Sequence, residues 1–130
     1  VLVVDWGALV VDVINGITQV PGATQTYNQN SFVIRKSESD GYHENMLGGY
    51  ITAQMLYCAI TGESAVGQDY SFCGDASINS AFNFEKFLKE EYVYDPGNSN
   101  FIDIFNSPAD MNGLQQLIDK YLAEKPYLEY

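Results

Sequence analysis

The chain has 130 residues, 46% of them hydrophobic and 18% charged, which suits one folded domain and argues against a disordered chain. Its 17 acidic and 6 basic residues give a formal net charge of −11 at pH 7. Six scattered cations cannot build a basic face, so nucleic acid and anionic membranes are not expected as partners. No apolar run approaches about eighteen residues, and the sequence therefore predicts no transmembrane helix.

The first segment predicts a buried strand followed by a helix. Residues 1–4 form a continuous, mostly β-branched apolar run, as expected of a strand covered on both faces in a parallel sheet. Residues 6–14 are mainly apolar and are followed by Asn15-Gly16, which favours a short helix with a left-handed cap, although a second strand stays open. Because the chain opens inside a strand, we expect an upstream segment to have been removed or left out.

The strongest helix prediction covers residues 44–61. Gly62 is placed to end this helix as a left-handed cap. Gly48 and Gly49 inside it would each cost about 1 kcal/mol relative to alanine, which indicates a close approach of backbone or ligand, or a simple packing requirement. The apolar side chains at helical spacing are Leu47, Tyr50, Ile51, Met55, Cys58 and Ala59.

Polar segments flank this helix on both sides. Residues 18–39 contain Pro21-Gly22 and many amide and hydroxyl side chains, which predicts a long loop. This loop could contain one short extended segment at residues 31–34. Residues 62–80 are also expected to be a loop.

The C-terminal half predicts two further helices. The first covers residues 81–92. The second has the clearest start, with Ser107 as cap, Pro108 at the first helical position and Asp110 in the first turn. Pro126 is expected to end it. Its apolar face would consist of Met111, Leu114, Leu117, Ile118, Tyr121 and Leu122.

The two cysteines, Cys58 and Cys73, do not have the spacing of a metal site. Cys58 lies on the apolar face of the helix predicted over residues 44–61, which favours a buried thiol. A disulfide between the two residues stays open, and so does the redox compartment.

The only histidine gives the strongest functional signal. Asp40-Gly41-Tyr42-His43 places a carboxylate three residues ahead of an imidazole, just before a helix. Acyl transfer needs such a pair, because the imidazole acts as general base while the anion holds its tautomer. His43 could instead be a surface or capping residue, and Asp40 an acid near a helix N-terminus. Metal binding is a weaker alternative, since one histidine with Asp40 and Glu44 supplies few zinc ligands; we predict no metal and no cofactor.

Together with its flanks, this motif resembles the last sequence block of the SGNH (GDSL-type) hydrolases. Asp40-Gly41-Tyr42-His43 is followed by Asn-Met-Leu-Gly-Gly-Tyr-Ile-Thr-Ala at residues 45–53 and by Thr61-Gly62. The resemblance covers residues 1–67 and implies an α/β fold, with this chain as the mostly helical C-terminal part of a flavodoxin-like three-layer α/β/α domain. Residues 68–130 would be a helical C-terminal extension packed on that part.

The resemblance implies roles for two residues. His43 matches the general base and acid of the family, and Asp40 matches the carboxylate that orients it. The family's Gly-Asp-Ser nucleophile block and its oxyanion-hole blocks do not occur in this chain. Gly74-Asp75-Ala76-Ser77 is only superficially similar to the nucleophile block. The resemblance therefore implies that this chain is the C-terminal part of a serine esterase. The enzyme would hydrolyse carboxylic esters, including acyl groups on carbohydrate, and its serine would come from an upstream segment.

A second interpretation comes from a different class of protein. The chain could be a non-catalytic carbohydrate-binding or self-assembling module with an esterase-like frame, because an exposed strand edge can pair with another copy. Under the esterase interpretation the partners are a small-molecule or carbohydrate ester and the upstream half of the same protein. A secreted or cell-surface bacterial location is compatible with either interpretation and is fixed by neither.

Overall fold

The computed structural model describes residues 4–34, 43–74 and 99–124. In these ranges the protein is a mostly helical domain, as expected for the helical part of the predicted fold. The elements in chain order are helix α1 (Trp6–Ile14), helix α2 (Gln29–Phe32), strand β1 (Val33–Ile34), strand β2 (His43–Glu44), helix α3 (Met46–Thr61), helix α4 (Ser71–Gly74), helix α5 (Phe101–Phe105) and helix α6 (Pro108–Glu124).

Helix α1 confirms the helix predicted over residues 6–14. It begins after Asp5, whose side chain accepts a hydrogen bond from the Ala8 amide at 2.9 Å. It ends at Ile14, Asn15 is its C-cap, and Gly16 adopts the left-handed conformation with φ of 71°. The strand predicted at residues 1–4 lies outside the described residues except for Val4, which belongs to no regular element.

The loop prediction for residues 18–39 is wrong at α2, and the extended piece at residues 31–34 is wrong in its first half. Asn28 caps α2 by accepting from the Asn30 amide at 2.8 Å, and its own amide donates to Ser31 Oγ at 3.1 Å. This reciprocal cap satisfies the first turn locally, so Ser31 lies in a helix. Within residues 31–34, the second half is extended and forms β1, which pairs antiparallel with β2.

Helix α3 is the central helix and packs against α1, α2, α5 and α6. It begins at Met46, two residues later than predicted, because Glu44 lies in β2 and Asn45 is the cap. Gly62 ends it as predicted, with φ of 74° and its amide donating to the Cys58 carbonyl at 2.8 Å. The predicted apolar side chains that prove buried are Leu47, Tyr50, Ile51, Met55 and Cys58.

Helix α6 begins at Pro108, as predicted, and packs across α1, α3 and α5. Its predicted face is buried at Met111, Leu114, Leu117, Ile118 and Tyr121. The preceding helix α5 was not predicted; it buries Phe101, Ile104 and Phe105. Buried side chains of α1, α3, α5 and α6 form one hydrophobic cluster.

Some of the predicted elements lie wholly or partly outside the described residues. The helix predicted over residues 81–92 lies outside the described residues, as do residues 75–80 of the predicted loop at 62–80. The loop prediction is wrong at residues 71–74, which form α4. The division into residues 1–67 and 68–130 stays a prediction. None of the helices in the described ranges is long and apolar enough to cross a membrane.

Candidate functional site

His43 lies on β2, immediately before the junction with α3, and its side chain is exposed to solvent. The strand pairing sets it opposite Ile34 of β1. The next residues, Glu44 and Asn45, lead directly into the first turn of α3. The structure therefore presents the imidazole at the surface, on a short strand that pairs with β1 and continues into α3.

Asp40, the other predicted site residue, lies outside the described residues. The same is true of Ser77, the serine of the segment that only superficially resembles a nucleophile block. The pairing of Asp40 with His43 therefore stays a prediction. Glu44 is the carboxylate nearest to His43 in sequence among the described residues, but neighbouring residues of a strand point to opposite faces. Glu44 Oε1 accepts a hydrogen bond from Thr52 Oγ1 at 2.7 Å, which directs this carboxylate toward α3.

Asn45 connects the histidine-bearing strand to two helices. Its Oδ1 accepts from the Gly48 amide at 3.0 Å, which caps α3. Its Nδ2 donates to the Ser31 carbonyl at 2.9 Å and to the Asn30 carbonyl at 3.3 Å. Its backbone amide donates to the Phe32 carbonyl at 2.9 Å. The residue two places after His43 is thereby fixed to α2 and to α3 at once.

At Gly48 the backbone of α3 lies close to α1 and α2. A Cβ at this position would collide with the Phe32 carbonyl oxygen and would contact the Trp6 ring at 3.3 Å. The Trp6 indole Nε1 donates to the Gly48 carbonyl at 3.0 Å. The close approach of backbone that the two glycines indicated is therefore found at Gly48, whereas a Cβ on Gly49 would meet only Glu44 Oε2 at 3.9 Å.

Sequence reasoning missed Asn45 and Trp6. A usable signal existed for Asn45, because asparagine is among the preferred residues at a helix N-cap, and an amide side chain placed just before an apolar helix suits that position. Trp6 offered no such signal, since its bond to Gly48 joins residues 42 positions apart.

The thiols are poor nucleophiles in this structure. Cys58 and Cys73 are both free and buried, so the disulfide left open by the sequence is not formed. Burial raises the pKa of Cys73 to about 11 and also raises the pKa of Cys58. Within residues 4–34, 43–74 and 99–124, no three histidine, cysteine or acidic side chains are grouped as metal ligands.

A second polar cluster surrounds Asp110, which is fully buried. Its carboxylate accepts from the Thr24 amide at 3.1 Å and from the Thr24, Tyr27 and Ser107 hydroxyls at 2.5, 2.8 and 2.5 Å. Burial alone would raise the pKa of Asp110, but the hydrogen bonds from Ser107, Thr24 and Tyr27 outweigh it and hold the pKa at about 2. With its oxygens fully engaged, this carboxylate joins a loop to α6 and is structural.

Comparisons of the chain with protein-family models, with curated protein sequences and with solved structures found no match. A functional proposal therefore depends on the chemistry of the residues around His43 and on the sequence resemblance of residues 40–62.

Proposed function

We propose that this chain is the C-terminal part of an SGNH-type serine esterase with a flavodoxin-like α/β/α fold, in which His43 is the general base. The observation that carries the proposal is the placement of the only histidine, exposed on a short strand directly before the capped helix α3. A base that serves an external substrate must be reachable from solvent, and it must be held by elements that restrict its movement.

In the proposed reaction, His43 takes the hydroxyl proton of a serine supplied by the upstream segment. The serine oxygen attacks the ester carbonyl carbon, and His43 returns the proton to the alcohol as it leaves. Water then attacks the acyl-serine while His43 takes its proton, and that proton goes back to the serine oxygen as the acid departs. Esters of many alcohols fit this scheme, including acyl groups on carbohydrate.

Asp40 is the proposed partner that holds the imidazole tautomer. Three residues of chain allow its Cα to lie at most about 11 Å from that of His43, so the sequence keeps the two residues close together. Glu44 is a poor substitute because its carboxylate already accepts from Thr52. The formal charge of −11 disfavours the approach of anions, so we expect neutral esters to be the substrates.

The test is hydrolysis of p-nitrophenyl acetate by the complete protein that contains this chain. We expect His43→Ala to lower kcat by about 10⁴-fold to 10⁶-fold, since triads lose such factors when the base or its orienting acid is lost. Asp40→Asn should lower kcat by about 10⁴-fold, because the imidazole then adopts the wrong tautomer.

Glu44→Gln is the matched control, because it removes a neighbouring carboxylate that is bonded to Thr52. It should leave kcat within a few-fold of the wild-type value. Undiminished turnover in His43→Ala would contradict the proposed mechanism, and an equal loss in Glu44→Gln would contradict the specific role of Asp40.

A further inference from the structure

We infer that Asn45 is a positioning residue for His43, an inference that rests on the proposed esterase function. Asn45 is only 5% exposed although its side chain is an amide. A buried amide costs free energy unless its donors and acceptor are paired, and here all of them are paired. Such a residue two places after His43 limits how far the strand that carries the imidazole can shift.

The hydrogen bonds of Asn45 separate into two functions. The bond that Oδ1 accepts from the Gly48 amide is an ordinary helix cap. The bonds that Nδ2 donates to the carbonyls of Ser31 and Asn30 join the end of β2 to α2, and a simple cap does not need them. These donated bonds are therefore the ones that we assign to positioning.

A serine at this position distinguishes the two functions. Serine is also a favoured N-cap residue, so Asn45→Ser keeps an acceptor for the first turn of α3. It has no amide group to bridge to the two carbonyls of α2. Asn45→Ser should therefore retain most of helix α3 but lose the two hydrogen bonds that hold the His43 segment against α2.

Gln115 offers a matched control elsewhere in the molecule. It is 2% exposed, and its Nε2 donates to Tyr50 Oη at 3.0 Å and to the Gln68 carbonyl at 2.9 Å. Its Oε1 accepts from the Gly67 amide at 3.1 Å. Gln115→Ala thus removes a buried amide with the same pattern of two donated bonds and one accepted bond, on α6 rather than beside His43.

The first measurement is p-nitrophenyl acetate hydrolysis by the complete protein. We expect Asn45→Ser to lower kcat by about 10²-fold with little change in KM, since a displacement of about 1 Å can cost that much. Gln115→Ala should keep kcat near the wild-type value, even though it removes three hydrogen bonds, one more than Asn45→Ser.

The second measurement is the proton NMR spectrum of the 130-residue chain, in which the only histidine gives unambiguous imidazole resonances. These resonances should broaden or split in Asn45→Ser and stay sharp in Gln115→Ala. Unchanged resonances in Asn45→Ser, or equal effects of the two substitutions, would overturn the inference. If His43→Ala retains full turnover, the esterase proposal fails, and the imidazole resonances still decide whether Asn45 holds His43 in place.

Discussion

Asp110 is a fully buried acid that stays ionised because donors from two segments converge on it. Its pKa in the folded protein is about 2, below the ordinary value of 3.8, because the hydrogen bonds that it accepts favour the ionised form. A lowered pKa means that ionised Asp110 stabilises the fold above about pH 4, and that this contribution is lost as the pH falls toward 2. The shift corresponds to about 2 kcal/mol.

We therefore predict that Asp110→Asn lowers the free energy of unfolding by about 2 kcal/mol at pH 7, because the hydroxyl and amide donors lose their anionic acceptor. The difference from wild type should shrink between about pH 4 and pH 2. Urea denaturation across this range measures it.

Asp103, an exposed acid on α5, is the control residue. Asp103→Asn should change the free energy of unfolding by no more than about 0.5 kcal/mol. A difference between Asp110→Asn and wild type that stays constant down to pH 2 would contradict the structural role given to this carboxylate.

At the scale of elements, the adjacent glycines of α3 are predicted to respond in opposite ways to the same substitution. Gly49→Ala should raise the free energy of unfolding by up to about 1 kcal/mol, since alanine favours helix and the new methyl group meets no close neighbour. Gly48→Ala should lower it by about 1–3 kcal/mol, because its methyl group would collide with the Phe32 carbonyl.

Thermal and urea denaturation of the two variants tests this pair. Gly48→Ala should also weaken the bond from the Trp6 indole to the Gly48 carbonyl, which tryptophan fluorescence can follow because the chain has one tryptophan. Equal stabilisation by both substitutions would show that α2 does not pack against α3 at Gly48.

The long helices could be predicted, whereas the short helices could not. α1, α3 and α6 combine apolar periodicity with recognisable caps, and these local signals carried through to the structure. α2 and α5 span 4 and 5 residues, too few for a helical period to show. The start of α3 was misplaced because Glu44 suits a first turn, but pairing with β1 draws it into a strand.

At the scale of the whole molecule, contacts between distant segments determine how the helices pack. Tyr121 on α6 donates a hydrogen bond to Asp12 on α1 at 2.5 Å, and the Ala65 amide donates to Asp119 at 2.7 Å. Gly113 lets α6 approach the backbone of Pro21. These pairings depend on tertiary placement and leave no local pattern, so the sequence could not predict them.

The candidate site shows the same limit. The motif at residues 40–43 identified His43 as a residue of interest, and the structure places it at an exposed junction. The anchoring by Asn45 and Trp6 depends on α1 and α2 folding back onto α3. Sequence spacing alone does not specify that return of the chain.

The proposed esterase function requires His43 to activate a serine upstream of this chain, and a fluorophosphonate probe tests this requirement directly. The complete protein should be labelled on one serine upstream of residue 1, as mapped by mass spectrometry, and His43→Ala should slow labelling by at least about 10²-fold. A protein with no labelled serine, or with a labelling rate that His43→Ala leaves unchanged, would contradict the account.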